Sequence, residues 1–364
     1  MNYNQALFFI SKCLTISLEE KNRDEIEFIL KTKNIDWEAV VKLSTSHLVF
    51  PAIYCNLKRA DFLQYLPEEL VSYMEHITDL NRERNKKIIT QSKDLNSLLL
   101  TNKIRPIFLK GTGNLLAGLY EDIAERMVGD IDFIFSKEDY PKAIRILREF
   151  GYSEVLKQEY YPPDDFRHYR RLKKENKISA IEIHSELLGI KKYSSEFNYS
   201  FVKKNSLVLN GFKVLSYANK LNLSIIANQI NDSGFYYKII ALRNAYEVFL
   251  LSKKTNTKDA VNSLAKLSYP LNCFLAACNE VFNEIETIEY NNNAKTALYL
   301  RNFNNQFIKP IKEQSKLNKI YIFIKRIFYI LNKSITNSEY RVFIFKSLTD
   351  KNWNIQKLIQ FGIK

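Results

Sequence analysis

The chain contains 364 residues, of which 46% are hydrophobic and 26% are charged. This balance is typical of a folded protein with two or three structural units, and it excludes an intrinsically disordered chain. Only 9 glycines and 8 prolines are present, which predicts units that pack directly against one another without long flexible linkers.

The formal net charge is +14, from 54 Lys and Arg against 40 Asp and Glu. A basic surface favours anionic partners such as nucleotides, nucleic acids or acidic lipids. The lysines are scattered along the chain, however, and a sequence rich in Lys, Ile and Asn also arises from an AT-rich genome without selection for binding. Charge alone therefore leaves nucleic acid as an open but not favoured partner.

The four cysteines, Cys13, Cys55, Cys273 and Cys278, match no zinc-binding spacing and lie in apolar, helix-like contexts. We therefore expect small core residues, no disulfide framework and a reducing, cytoplasmic location. Residues 1–20 contain Lys12 within their apolar part, which predicts an amphipathic helix and not a signal peptide. No apolar run reaches the ~20 residues that span a bilayer.

Residues 1–100 are predicted to form an N-terminal helical domain. Asp36 precedes an apolar stripe at helical spacing as a candidate N-cap, and residues 72–100 are predicted to form one long helix. Residues 101–215 then alternate between element types. Strands are predicted at 106–109, 130–135, 154–156 and 178–184, with helices at 114–120 and from Ser136 to the stop signal at Gly151.

Residues 216–364 are predicted to form a C-terminal helical domain, with apolar stripes at 221–230, 237–251, 259–267 and 320–335. For the last of these we favour a buried helix of the bundle over a basic amphipathic helix at a surface. The fold class predicted is therefore α+β, with a mixed α/β core between two helical domains.

The predicted strand that begins at Asp130 places two carboxylates on one face. Side chains two residues apart point the same way in a strand, so Asp130 and Asp132 lie together while Ile131 and Phe133 face the core. Adjacent carboxylates repel each other unless a cation offsets the repulsion, and oxygen ligands are those that Mg²⁺ prefers. An isolated Asp-x-Asp is more often a solvated strand edge, so its neighbours decide the interpretation.

Three neighbouring features favour a functional site. Lys110, Gly111 and Thr112 lie between a strand and a helix, where N–H groups hold phosphate. The alternating segment from Ile181 presents Glu182 and His184 on one face, so that Glu182 supplies a third carboxylate. Cations near a triphosphate are offered by Arg126 and by Arg167, which precedes His168. His47 and His76 are interpreted as surface or packing residues.

These segments resemble the uncharacterised nucleotidyltransferase family of the DNA polymerase β-like superfamily. The resemblance is carried by residues 108–111, Tyr120, residues 126–134, and 181–184, and a weaker likeness to the family's helical lead-in begins near Asp36. It implies a small mixed sheet with helical domains on both sides. In this chain Thr112 replaces the superfamily's Ser, and the helix around Asn228 and Arg243 lacks the His and Asp of close family members.

The resemblance implies a Mg²⁺-dependent enzyme that moves NMP from an NTP to a hydroxyl of a small molecule, sugar, peptide or protein, with release of pyrophosphate. Asp130, Asp132 and Glu182 would hold two Mg²⁺ ions, replaceable by Mn²⁺. The remaining candidates for nucleotide or acceptor contacts are Lys110, Gly111, Thr112, Arg126, His168 and His184.

Two alternatives stay open. One is a non-catalytic protein of the same fold that binds nucleotide or nucleic acid, and the other is a toxin-type transferase that modifies tRNA or protein. Retention of all three carboxylates argues against the first alternative, and the charge of +14 gives mild support to the second.

Overall fold

The structure is a computed structural model that describes residues 1–155 and 167–305, and further residues at 323–324, 327–328, 330–332, 334–336, 338–351 and 355. Within these residues, helices surround one mixed sheet of seven strands. The α+β fold class predicted from the sequence is therefore confirmed.

The N-terminal region is helical, with α1 (Tyr3–Cys13), α2 (Glu20–Thr32), α3 (Trp37–Ser46), α4 (Phe50–Arg59) and α5 (Glu68–Thr101). The side chain of Asp36 accepts a hydrogen bond from the N–H of Ala39 in the first turn of α3, so its predicted N-cap role is confirmed. Helix α5 begins one turn before its predicted start, because Glu68 and Glu69 interact favourably with the N-terminal end of the helix dipole.

One face of α5 is buried at alternating steps of four and three residues, which is the spacing of one side of a helix. This face carries several amides as well as apolar side chains: Met74, Thr78, Asn81, Asn85, Ile88, Ser92, Leu95 and Leu99. Asn81 and Asn85 both donate to main-chain carbonyls of the segment that runs into the strand beginning at Asp130. Helix α5 therefore fixes the entry to that strand.

The strands are β1 (Ile107–Phe108), β2 (Asp130–Ile134), β3 (Ser153–Glu154), β4 (Leu172–Lys173), β5 (Ala180–His184), β6 (Leu207–Leu209) and β7 (Phe212–Val214). Their spatial order is β3-β4-β5-β2-β1-β7-β6. Strand β2 runs parallel to β5 and antiparallel to β1, and β1 runs parallel to β7. The strand predicted at 154–156 corresponds to β3, although Leu156 lies outside the described residues.

Three helices accompany the sheet: α6 (Lys110–Leu116), α7 (Asp139–Glu149) and α8 (Tyr199–Lys204). The bounds predicted for the first of them are wrong, since α6 follows β1 after a single residue, Leu109. Position 113 of this helix requires glycine, because a Cβ there would lie 2.7 Å from the carbonyl oxygen of Phe108. At the start of α7, Ser136 Oγ accepts a hydrogen bond from the N–H of Asp139, and Gly151 follows its end with a φ of 91°.

The C-terminal helices are α9 (Tyr217–Ile226), α10 (Gly234–Tyr237), α11 (Leu242–Ser252), α12 (Thr257–Asn262), α13 (Ser268–Val281), α14 (Ala294–Asn305) and α15 (Ser338–Thr349). A π-helical turn at Ala227–Asn231 continues α9. The continuous helix predicted at 237–251 is wrong, because Lys238 adopts a φ of 56° and separates α10 from α11. Among the described residues, no helix is long and apolar enough to cross a bilayer.

The helix predicted at 320–335 lies partly outside the described residues. Its described residues are helical, but Phe328 is 63% exposed and Ile335 is 75% exposed. Burial of this helix was predicted and is wrong for these side chains, which do not belong to the continuous hydrophobic core formed by residues between Leu7 and Phe303.

That core includes side chains from the N-terminal helices, the sheet and the C-terminal helices. Helices α4 and α5 pack against each other, as do α9 and α11. The boundaries proposed at 100/101 and 215/216 fall at the end of α5 and between β7 and α9. The division into three domains stays a prediction.

Candidate metal and nucleotide site

The site is built on the parallel pairing of β2 with β5. In this register Asp132 is the direct partner of Glu182, and Asp130 is the partner of Ala180. Asp130, Asp132 and Glu182 share one face of the sheet, while Ile131 and Ile181 on the other face are fully buried. Three carboxylates from two strands are thereby placed side by side on a rigid support.

Lys110 lies between these carboxylates. Its Nζ is 2.5 Å from Asp132 Oδ1, 3.5 Å from Glu182 Oε2 and 3.2 Å from His184 Nε2. The residue occupies the first position of α6 with a φ of 48°, a region that non-glycine residues rarely adopt. Such local strain often accompanies a functional position, and here it belongs to the residue whose ammonium contacts the carboxylates.

His184 is almost fully buried, and its two ring nitrogens have different partners. Nε2 lies 2.9 Å from Asp132 Oδ1 and 3.6 Å from Glu182 Oε2, while Nδ1 lies 3.3 Å from the carbonyl oxygen of Glu186. A main-chain acceptor at Nδ1 directs Nε2 towards the carboxylates, as is common for histidines that bind metal ions.

Asp130 has a different cation partner, Arg171, whose Nη2 forms an ion pair with Asp130 Oδ1. The Nε of the same guanidinium is 3.7 Å from Glu182 Oε1. Arg171 immediately precedes β4, which lies antiparallel beside β5. The cluster thus contains two cationic side chains, Lys110 and Arg171, against three carboxylates.

His168 lies at the edge of the cluster. Its Nε2 is 3.9 Å from Glu182 Oε2, its Nδ1 is 2.8 Å from the carbonyl oxygen of Tyr169, and its ring centroid is 5.1 Å from that of His184. An isolated antiparallel bridge also joins His168 to His184. The structure therefore brings both predicted histidines to Glu182.

The pKa shifts reflect the competition between burial and these cations. Burial raises the pKa of Asp132, but Lys110 and His184 outweigh this effect and hold the pKa well below its ordinary value. The pKa of Glu182 is lowered as well, because His184 and Lys110 outweigh burial and the nearby Asp132. The pKa of Asp130 is raised, because burial outweighs the contribution of Arg171. Asp130 is therefore the carboxylate of the three whose charged form is least favoured.

Two of the predicted phosphate contacts, Thr112 and Arg126, have other partners in the structure, and Gly111 lies against Arg126. The hydroxyl of Thr112 is fully buried and donates to the carbonyl oxygen of Asp130 at 2.9 Å. Arg126 is buried, its Nε donates to Glu247 Oε1 at 2.6 Å, and its guanidinium lies 3.1 Å from the position of a Cβ on Gly111. These residues thus lie beside and beneath the cluster, while Lys110 reaches it directly.

Residues that the sequence interpretation missed connect α5 to the segments that precede β2 and β5. Asn85 donates to the carbonyl oxygens of Ile123 and Arg126, at 2.6 and 2.7 Å. Gln91 exchanges two hydrogen bonds with the main chain of Ser179, whose Oγ donates to the carbonyl oxygen of Gly129. The only sequence signal was the position of these amides within the helix predicted at 72–100.

The side chains of Asp132, Glu182 and His184 form a candidate metal-binding set. One ligand atom from each lies within 4.8 Å of the others. Two carboxylate oxygens and an imidazole nitrogen suit a divalent cation, and Mn²⁺ accepts both donor types more readily than Mg²⁺ does. This donor set fits a divalent cation, and it shares Asp132 and Glu182 with the ligands predicted from the sequence but contains His184 in place of Asp130.

A strand pair that presents Asp-x-Asp beside a third carboxylate, within a small mixed sheet, is the arrangement expected for nucleotidyl transfer. Residues 33–281 match the family described as "Uncharacterised nucleotidyltransferase", and the chain belongs to that family. The resemblance stated from the sequence is thus confirmed, together with nucleotidyl transfer as the general activity. No curated protein and no solved structure matches the chain.

Proposed function

We propose that the protein transfers NMP from an NTP to a hydroxyl of an acceptor molecule, with a divalent metal ion as cofactor and pyrophosphate as the second product. The observation that carries this proposal is the register pairing of Asp132 with Glu182. Asp130 lies on the same face of the sheet, two residues before Asp132. Asp130, Asp132 and Glu182 would hold two Mg²⁺ or Mn²⁺ ions. When bound, such ions polarise the phosphate and lower the pKa of the attacking hydroxyl.

The protein's own groups then have distinct roles. The acceptor oxygen forms a bond to the α-phosphorus while the bond to the β-phosphate oxygen breaks, and the electron pair leaves with pyrophosphate. Glu182 is the proposed base for the acceptor proton. His168 offers a second proton acceptor, because burial lowers its pKa and favours the neutral imidazole.

Lys110 is the proposed cation beside the reacting phosphate. Burial lowers its pKa, but Asp132 and Glu182 outweigh this and raise it, so the ammonium stays charged. Gly111 and Thr112 position this lysine and the strand beside it. Arg126 supports Gly111 through its ion pair with Glu247, and this favours a positioning role for Arg126.

We propose a cytoplasmic location, which the four free and buried cysteines support.

The acceptor class is identified by an experiment in which the protein, Mg²⁺ and each α-labelled NTP are incubated with cell extract. The label is then measured separately in the small-molecule, RNA and protein fractions. We expect labelling of one fraction, and Asp132→Ala should lower it by about a hundredfold or more.

Asp24→Asn is the matched control, because Asp24 is exposed on α2 far along the chain from the cluster. It should label as the unaltered protein does. Equal labelling by the unaltered protein and Asp132→Ala, with every NTP, would show that the carboxylates do not catalyse transfer. NTP affinity that ignores Mg²⁺ would favour the non-catalytic alternative.

A further inference from the structure

Arg167 lies beside the carboxylate cluster. Its carbonyl oxygen accepts hydrogen bonds from the N–H groups of Ser185 and Glu186, at 2.8 and 3.0 Å, which anchors it next to His184. Its side chain lies over Gly189, 3.7 Å from the position of a Cβ there. Among the described residues, no carboxylate lies within 4.0 Å of its guanidinium, and its side chain donates no hydrogen bond.

The π-helical turn after α9 faces the same place. Asn231 Oδ1 accepts a hydrogen bond from the N–H of Gly189 at 2.9 Å, and its Nδ2 donates to the carbonyl oxygen of Leu187. These two bonds hold the turn against the loop that follows β5. The next residue, Asp232, is in Coulombic range of Arg167, Arg243 and Lys110.

Arg243 lies in the first turn of α11. Its side chain is half-buried, and its buried Nε has no hydrogen-bond partner in the described part of the chain. The nearby acid Glu247 is already engaged, since Oε1 binds Arg126 and Tyr120 and Oε2 accepts from Ser224. Burial lowers the pKa of Arg243, and the positive charge of the neighbouring Arg126 lowers it further. This is the direction expected for a cation that lacks an anionic partner.

We propose that Arg167 and Arg243 bind the β- and γ-phosphates of the nucleotide, in a polyphosphate subsite that lies between the loop after β5 and the first turn of α11. This inference rests on the proposed function. Lys110 completes the subsite on the side of the carboxylates, because it is in Coulombic range of Arg167. One guanidinium binds two oxygens of a single phosphate group, so two arginines together with a lysine suit a chain of phosphates better than a single phosphate.

Asp232 is expected to have the opposite effect to the two arginines on the affinity for polyphosphate. It is exposed, and it is a carboxylate in Coulombic range of all three cations. A carboxylate at this position repels a bound polyphosphate and limits its affinity. Loss of Asp232's charge therefore strengthens binding in the same subsite where loss of either arginine weakens it.

The test uses inorganic tripolyphosphate as the probe, titrated calorimetrically into the full-length protein in Mg²⁺ buffer. We expect Arg167→Gln and Arg243→Gln each to weaken binding about tenfold, as for loss of a charged hydrogen bond. Asp232→Asn should strengthen it about two- to fivefold. Arg301→Gln, at an exposed position of α14, is the matched control and should bind as the unaltered protein does.

Circular dichroism establishes that each variant is folded, and Arg167→Gln keeps the test decisive if Arg243→Gln unfolds. Unchanged tripolyphosphate affinity in Arg167→Gln and in folded Arg243→Gln would overturn the subsite, even if nucleotidyl transfer occurs. Absence of tripolyphosphate binding to the unaltered protein would overturn it as well. Weakened binding in these variants without any transfer would uphold the subsite and reject the proposed function alone.

Discussion

Asp132 and Glu182 are direct register partners across the parallel strands β2 and β5, and the ammonium of Lys110 lies 2.5 Å and 3.5 Å from their oxygens. The protein thus supplies its own cation to a carboxylate pair that would otherwise repel itself. Arg171 does the same for Asp130. A divalent metal ion bound at this site would compete with these side chains for the same oxygens.

This competition predicts that Arg171→Gln binds Mn²⁺ more tightly. Arg171 is about half exposed in its ion pair with Asp130, and exposed ion pairs contribute about 0.2–1 kcal/mol, so we expect an affinity gain of about two- to fivefold. Electron paramagnetic resonance of Mn²⁺ titrations measures it. Arg170→Gln, which breaks the neighbouring pair with Glu154, is the control. Equal or weaker Mn²⁺ binding by Arg171→Gln would contradict the competition.

The amides of α5 predict a stability effect at Asn85. This side chain is fully buried and donates to two main-chain carbonyls just before β2. We expect Asn85→Ala to lower the free energy of unfolding by about 1–3 kcal/mol, because buried acceptors are left without donors. Urea unfolding measures the change. Asn102→Ala, at the exposed end of α5, should change stability by less than about 0.5 kcal/mol, and a similar loss in both variants would be inconsistent with this role.

Lys220 predicts a pH-dependent stability. Its side chain is buried on α9, where Nζ donates to the carbonyl oxygen of Gly113 at 3.3 Å, and burial lowers its pKa to about 7 from an ordinary value of 10.5. Between these two values the unfolded chain binds a proton that the folded chain does not. The contribution of Lys220 to the free energy of unfolding therefore rises with pH in this window, by up to about 1.4 kcal/mol per pH unit.

Lys220→Met removes this contribution, so its stability relative to the unaltered protein should be greatest near pH 7 and should decline towards pH 10. Thermal unfolding across this range gives the difference at each pH. Lys254→Met, at an exposed position after α11, should leave the pH profile unchanged. A constant difference between Lys220→Met and the unaltered protein would show that Lys220 does not titrate in this window.

The alternation of polar and apolar residues was sufficient to predict which side chains share a face. It placed Asp130 with Asp132, and Glu182 with His184, because strand periodicity is local. The α+β class was predictable for the same reason, since short apolar strands alternate with helical stripes between residues 101 and 215. The exact partner of Asp132 on β5 could not be predicted, because register depends on tertiary contacts such as the hydrogen bonds that link Gln91 to Ser179 and Ser179 to Gly129.

The partners of the basic residues could not be predicted either. Arg126 forms its ion pair with Glu247, 121 positions later in the chain, and Arg171 meets Asp130 only because β4 lies beside β5. Thr112 keeps the hydroxyl expected of a phosphate contact, yet its buried Oγ1 binds the main chain of Asp130. Each of these contacts depends on chain segments distant in sequence, which composition and spacing do not encode.

The most direct test of the central claim compares the fates of two labels on one nucleotide. An NTP labelled at the α-phosphate, and the same NTP labelled at the γ-phosphate, are incubated with Mg²⁺, cell extract and either the unaltered protein or Glu182→Gln. We predict that the α-label enters the acceptor, that the γ-label is released in pyrophosphate, and that Glu182→Gln loses both. Transfer of the γ-label to the acceptor, or equal α-label transfer by Glu182→Gln, would contradict nucleotidyl transfer at these carboxylates.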